Sequence, residues 1–193
     1  MKKNTDTMPA FSFKSQKLFR EWLEKNFDSS TGIWLKFYKK DSGESSVSHD
    51  EALDEAICFG WIDGQLKKSD DKSWLQKFTP RRPKSIWSKK NAERAEKLIK
   101  LGKMQPSGLK EIKLAKDDGR WEKAYDSPAD MKIPDDFLKE ISKQKKALKF
   151  FETLNRANLY AIAWRLQTAK KPETREKRMT QIIEMLSKGE KFH

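Results

Sequence analysis

SHDEALDEAICFGWIDGQLKKSDDKSWLQKFTPRRPKSIWSKKN, residues 48–91, changes its period twice and so sets the fold class. Ser48 and Glu51 have the S-x-x-E spacing of a capping box, in which each side chain satisfies a free backbone N–H of the other residue. Leu53, Ala56 and Ile57 then recur at helical spacing, and Gly60 suits a left-handed cap. Residues 61–68 and 73–79 flank Ser69, Asp70 and Asp71 and read as a β-hairpin. Pro80 and Pro83 bracket Arg81 and Arg82. Ser88 can cap a helix that runs to about Leu101 and stops at Gly102.

Upstream, Leu18, Phe19, Trp22 and Leu23 mark a helix over residues 15–26, preceded by a loose tail at 1–12. GIWLKFYKK, residues 32–40, alternates and is rich in aromatics, as a strand requires. Downstream, Pro106 suits a first helical turn, with Leu109, Ile112 and Ala115 facing inward. Residues 120–134 form the best linker candidate, with Trp121 and Tyr125 packing down. From Pro134 onward the chain reads as helix. Ala147, Phe150, Phe151 and Leu154 form one stripe, and Leu159, Ile162, Ala163 and Leu166 a second. Met179, Ile182, Ile183 and Leu186 face inward on a last helix opened by Pro172 and ended by Gly189. These stripes are core contacts rather than a cofactor box. The expected architecture is α+β and helix-dominated, with a small antiparallel sheet of about three strands. Residues 1–130 make an N-terminal α+β domain and residues 131–193 a C-terminal all-helical module.

Charged residues make up 37% of the 193 and hydrophobic ones 36%, yet seven Trp and eleven Phe supply apolar bulk for a core. The chain lacks an apolar run long enough to span a membrane, and its opening MKKNTDTMPAFSFKS lacks the apolar region of a secretory signal. One cysteine, Cys58, excludes an internal disulfide, so a cytoplasmic location is expected. Two histidines, His49 and His193, argue against a His-rich metal site, and none is expected. The net charge of +13 centres on residues 61–125, which carry 18 basic against 9 acidic side chains. Such a field serves solubility or attracts an anionic small molecule or nucleic acid.

Within PRRPKSIWSKKN, residues 80–91, the prolines restrict the backbone around two guanidinium groups, whose donor forks suit carboxylate or phosphate. Ser85, Ser88 and Asn91 add neutral hydrogen-bonding groups, and the helix start at Ser88 adds free N–H groups. Trp87 can stack on a base, a sugar or an arginine. Arg81, Arg82, Ser85, Trp87, Ser88 and Asn91 are thus candidate ligand-binding residues. The same residues can instead be structural: Ser88 as a cap, Trp87 as a staple, the arginines paired with acids. Trp61-Ile62-Asp63-Gly64 precedes them. Asp63 is the one catalytic candidate, as an acid/base; as a residue before glycine it is more often a turn former. Trp61, Arg175 and Arg178 are secondary candidates. Arg175 and Arg178 share a helix face, commonly a solvated one. Cys58 reads as a buried inert thiol and His49 as exposed. P-loop, G-x-G-x-x-G, G-x-S-x-G, H-E-x-x-H and paired-Cys motifs are missing, so no cofactor is expected.

GIWLKFYKK, DEALDEAICFGWIDG, FTPRRPKSIWSKKN, LIKLGKMQPSGL, DGRWEKAY and AKKPETREKR together resemble the YdeI/OmpD-associated family of bacteriocin-protection proteins. The resemblance extends from about Phe19 to Gly189, and residues 134–189 are similar to its OmdA module. It implies a link to tolerance of bacteriocins and cationic antimicrobial peptides, and carries over no catalytic mechanism and no ligand. A +13 chain repels a cationic peptide, which disfavours simple sequestration. Three readings follow: an anion-binding stress-tolerance protein, with nucleic acid as a variant ligand; an enzyme using Asp63 with Arg81 and Arg82; or an interaction protein docking a partner through its C-terminal helices.

Overall fold

The computed structural model describes residues 8–127 and 130–193. Residues 1–7 of the expected tail and residues 128–129 of the expected linker lie outside them. The chain divides into two compact units. The first joins residues up to Trp87 with Asn91–Ala124; the second joins Ser88–Lys90 with Tyr125–His193.

In the first unit, β1 (Ala10–Phe11), β2 (Ile33–Tyr38), β3 (Trp61–Lys68) and β4 (Ser73–Pro80) form one sheet of order β1-β2-β4-β3. The sheet therefore has four strands rather than about three. The added strand, β1, pairs parallel to β2 through Ala10–Trp34 and Phe11–Leu35, whereas the other pairings are antiparallel. A two-residue strand has no period to read, which is why the sequence pattern left it in the tail.

Helices α1 (Gln16–Asn26) and α2 (His49–Cys58) cover one face of the sheet. Ser15 caps α1, and the capping box at Ser48 and Glu51 is complete in both directions. Phe19 and Leu23 of α1 and Ala52, Leu53, Ala56 and Ile57 of α2 pack with Ile33, Leu35, Phe37 and Phe78 in one core. Gly60 has φ +77, the left-handed conformation expected of it, and lets the chain leave α2 directly into β3. Glu55 is buried on α2 and is held by Arg20 at 2.8 Å and Gln16 at 2.6 Å.

Helices α3 (Lys89–Lys100) and α4 (Pro106–Asp117) follow. On α4, Ile112 and Ala115 are buried as expected, but Leu109 is 43% exposed and Gly108 takes its inward place. The reason is backbone proximity: a Cβ on Gly108 would lie 2.2 Å from the Cys58 carbonyl oxygen. Gln105 N–H donates to that same carbonyl at 3.0 Å.

The second unit holds α5 (Asp135–Ile141), α6 (Lys145–Phe151), α7 (Arg156–Gln167) and α8 (Pro172–Ser187). Phe137, Ile141, Ala147, Ile162, Leu166, Ile182, Ile183 and Leu186 form its buried core. Among the described residues no helix is long and apolar enough to cross a membrane.

Gly108→Ala must push α4 off α2, and we expect a loss of about 1–3 kcal/mol in chemical denaturation. In the second unit the Arg175 guanidinium is hydrogen-bonded to Asp136 and holds that carboxyl below its usual range. A depressed folded-state value contributes stability above the unfolded value, roughly pH 3.9, and loses it as pH falls through the folded value. Asp136→Asn should therefore flatten the acid limb of the melting profile.

Candidate anion-binding site

Strand alternation sorts the side chains of the β3–β4 hairpin onto two faces. Trp61 and Asp63 share the core-facing side with Phe78, the register partner of Asp63. Trp61 is 1% exposed, and its indole N–H donates to the Phe27 carbonyl at 3.0 Å. Asp63 lies 3.3 Å from His49 Nε2, whose ring also sits against Phe37 and Phe78. His49 is thus half-buried, not exposed, because the first turn of α2 lies over the sheet.

Ile62, Gly64, Lys77 and Thr79 take the opposite side. They line a cleft of about 540 Å³ with Pro80, Arg82, Pro83, Lys84, Ser85 and Ile86. The WIDG strand and the start of the PRRPKSIW stretch thus share one concavity. Its lining contains Lys77, Arg82 and Lys84 and no carboxylate. Among the described residues none of these three cations has an ion pair.

Arg82 to Ser85 is a tight turn closed by Ser85 N–H donating to the Arg82 carbonyl at 3.0 Å. Pro83 occupies its first central position, where its fixed φ fits, and Lys84 the second with φ +63. Glycine or asparagine is the usual occupant of that position. A lysine there costs roughly 1–2 kcal/mol, and such strain is characteristic of functional positions.

The turn is braced from behind. Arg81 is 7% exposed, and its guanidinium lies 3.4 Å from the centre of the Trp87 ring. Its backbone N–H donates to the Gly60 carbonyl at 2.9 Å, and Nη1 donates to the Ile86 carbonyl at 3.4 Å. Trp87, 1% exposed, is further packed on Trp121 with ring centres 4.9 Å apart. Arg120 donates to the Ser85 carbonyl at 2.5 Å and is itself oriented by Asp118 at 2.7 Å. Donors thus hold the carbonyls of residues 85 and 86, which fixes the turn before any ligand arrives.

The structure brings Arg82 and Ser85 into the cleft, and puts Arg81 and Trp87 beneath it. Ser88 and Asn91 are not among the lining residues. Ser88 belongs to the second unit, where it bridges Tyr125, and Asn91 sits half-buried on α3. In the second unit Arg175 is engaged by Asp136, while Arg178 donates to the Arg165 carbonyl at 2.7 Å. Asp63 and the Arg82 cleft occupy opposite faces of β3. Lys77 and Lys84 were not anticipated from the sequence. The alternation Lys77, Phe78, Thr79 carried the signal for Lys77; the positive φ of Lys84 had none.

A larger cleft of about 700 Å³ lies beside α1, lined by Lys14, Lys17, Arg20, Lys103, Glu51 and Glu55 among others. Its charges are largely matched internally, since Arg20 pairs with Glu55 and Glu24, and Glu51 is committed to the cap of α2. Cys58 lies nearby in the core; burial and then the charge of Glu55 push its thiol up to about 12, which removes it as a nucleophile at neutral pH.

The fold is thus an α+β unit carrying a basic cleft, with an all-helical unit beside it in the chain. Residues 11–111 match the family model described as a domain of unknown function, DUF8412, and residues 130–189 match the one described as bacteriocin-protection, YdeI or OmpD-associated. The chain belongs to the DUF8412 family, whose model covers more than half of it, and carries a YdeI/OmpD-associated segment after it. No curated protein and no solved structure matches the chain.

Lys84→Gly tests the turn directly. Relief of roughly 1–2 kcal/mol of strain outweighs the roughly 0.5–1 kcal/mol of added glycine chain entropy. We expect this variant to be about 0.5 kcal/mol more stable than the parent in urea unfolding, where removal of a solvent-exposed lysine from an unstrained turn would give no gain.

Proposed function

We propose that the first unit binds a small phosphate-bearing anion in the cleft between β3–β4 and the Arg82–Ser85 turn. The observation that carries this reading is the lining itself: Lys77, Arg82 and Lys84 converge on about 540 Å³ with no acidic side chain among them. Arg82 supplies a fork of donors, the two lysines supply point charge, and Ser85 supplies a neutral hydroxyl. The volume suits a small metabolite. The buried Arg81–Trp87 stack supports the reading by fixing the turn that presents these groups.

We connect this binding with bacteriocin protection because residues 130–189 match the family described in those words. With a net charge of +13 the chain repels cationic peptides, so we take its role in tolerance as a response to an anionic ligand, not capture of the peptide. We take its setting to be the cytoplasm, where phosphorylated metabolites are made. Asp63 has no part in this site, because it lies against His49 on the other face of β3.

Titration calorimetry with pyrophosphate is the direct test. Arg82→Ala and Lys84→Gly should each weaken binding about tenfold, equivalent to about 1.4 kcal/mol, whereas Lys145→Ala on α6 should not. Heat release that is flat for every phosphate tested would end the proposal. Oligonucleotide binding that collapses between about 50 and 200 mM salt would assign the basic surface to nucleic acid instead.

A further inference from the structure

The second unit contains its own cavity, of a chemistry unlike the first. It has a volume of about 300 Å³, and Trp164, Ile182, Met185 and Phe192 supply apolar walls. Arg165 and Arg178 enter the same lining, and no carboxylate does. Both arginines are half-buried, and neither has an ion pair among the described residues. The Arg165 guanidinium lies 4.1 Å from the centre of the Phe192 ring, and Arg178 spends one N–H on the Arg165 carbonyl. Five N–H groups per guanidinium leave most of the donor capacity of the pair available. Half-burying two such charges without a counter-charge costs hydration, and a bound anion offsets part of that cost.

The walls are built as deliberately as the charges. Trp164 is set edge-on to Tyr125 at 6.3 Å. Phe192 lies beyond the end of α8 and is held there by Asn158, a 1% exposed side chain on α7. The Asn158 side-chain carbonyl accepts from Phe192 N–H at 3.0 Å and from His193 N–H at 3.1 Å, and its amide donates to Asn155 Oδ1 at 2.8 Å. A buried amide with its carbonyl committed to two tail N–H groups fixes Phe192 as a wall of the cavity.

We infer that this cavity binds a small carboxylate with an apolar body, of aryl or short-chain aliphatic type. The carboxylate meets Arg165 and Arg178, whose planar forks match it, and the body displaces water from Trp164, Ile182, Met185 and Phe192. Bare inorganic anions lack the body, and long-chain lipids exceed the volume.

Phenylacetate and pentanoate are the probes, titrated into the full chain by calorimetry and by proton NMR of the indole signals. Expected are saturable binding at a Kd below about 1 mM and a loss of at least about tenfold in both Arg165→Gln and Arg178→Gln. Met185→Trp, which fills the cavity without touching a charge, should also abolish binding. It guards against either arginine variant failing to fold, and Arg165→Lys gives a second, milder arm. Phenylacetamide and inorganic phosphate should fail to compete. Arg82→Ala should leave phenylacetate binding unchanged, which separates this site from the cleft of the first unit. The inference is overturned if no carboxylate saturates, if the neutral amide binds as well as the acid, or if Met185→Trp binds like the parent.

Discussion

A guanidinium lying flat against an indole in the interior of the first unit is the contact on which its cleft depends. Arg81 follows Pro80 at the end of β4, and its N–H closes onto the Gly60 carbonyl beside the neighbouring strand. From that anchor its charge is carried inward onto Trp87 rather than outward to solvent. A desolvated cation–π contact of this kind contributes about 2 kcal/mol, enough to hold a short loop but not to fold a domain. Its consequence is geometric. With residues 81 and 87 pinned together, the five residues between them arch outward, and Arg82, Lys84 and Ser85 are presented on the far side.

The adjacent arginines of the PRRP segment therefore do opposite jobs. One is buried, stacked and structural; the other is exposed and available. Arg120 completes the division by holding the Ser85 carbonyl from behind. The cost of this arrangement is concentrated in Lys84, which adopts a backbone conformation that lysine disfavours. The rigid support behind the turn is what keeps this strained conformation in place.

The two units reach electropositive cavities by different routes. In the first, exposed Arg82 and Lys84 and half-buried Lys77 surround a larger cleft that Pro80, Pro83 and Ile86 also line. In the second, two arginines sit among aromatic and aliphatic side chains in a smaller space that Phe192 helps to wall. Net charge alone does not distinguish these, since both contribute to the same +13. What distinguishes them is the company each cation keeps: serine, threonine and proline in one case, rings and thioether in the other. The former suits a hydrated phosphate and the latter an apolar acid.

Much of the fold was legible in the sequence because it is written in local chemistry. The capping box at Ser48 and Glu51, the glycine at 60, the alternation of 33–38 and the apolar stripes of α7 and α8 all act within a few residues, so period and cap chemistry determine them. The same reading gathered the candidate ligand-binding residues within PRRPKSIWSKKN. It did not place strand β1, because two residues carry no period. It did not reveal the burial of Arg81 or the turning of Asp63 toward His49. Those are decided by strand register and by which elements cover which face of the sheet. Sequence determined that positive charge, proline and tryptophan gather between residues 80 and 91; only the tertiary structure decided which arginine faces the solvent, because burial depends on contacts between residues distant along the chain.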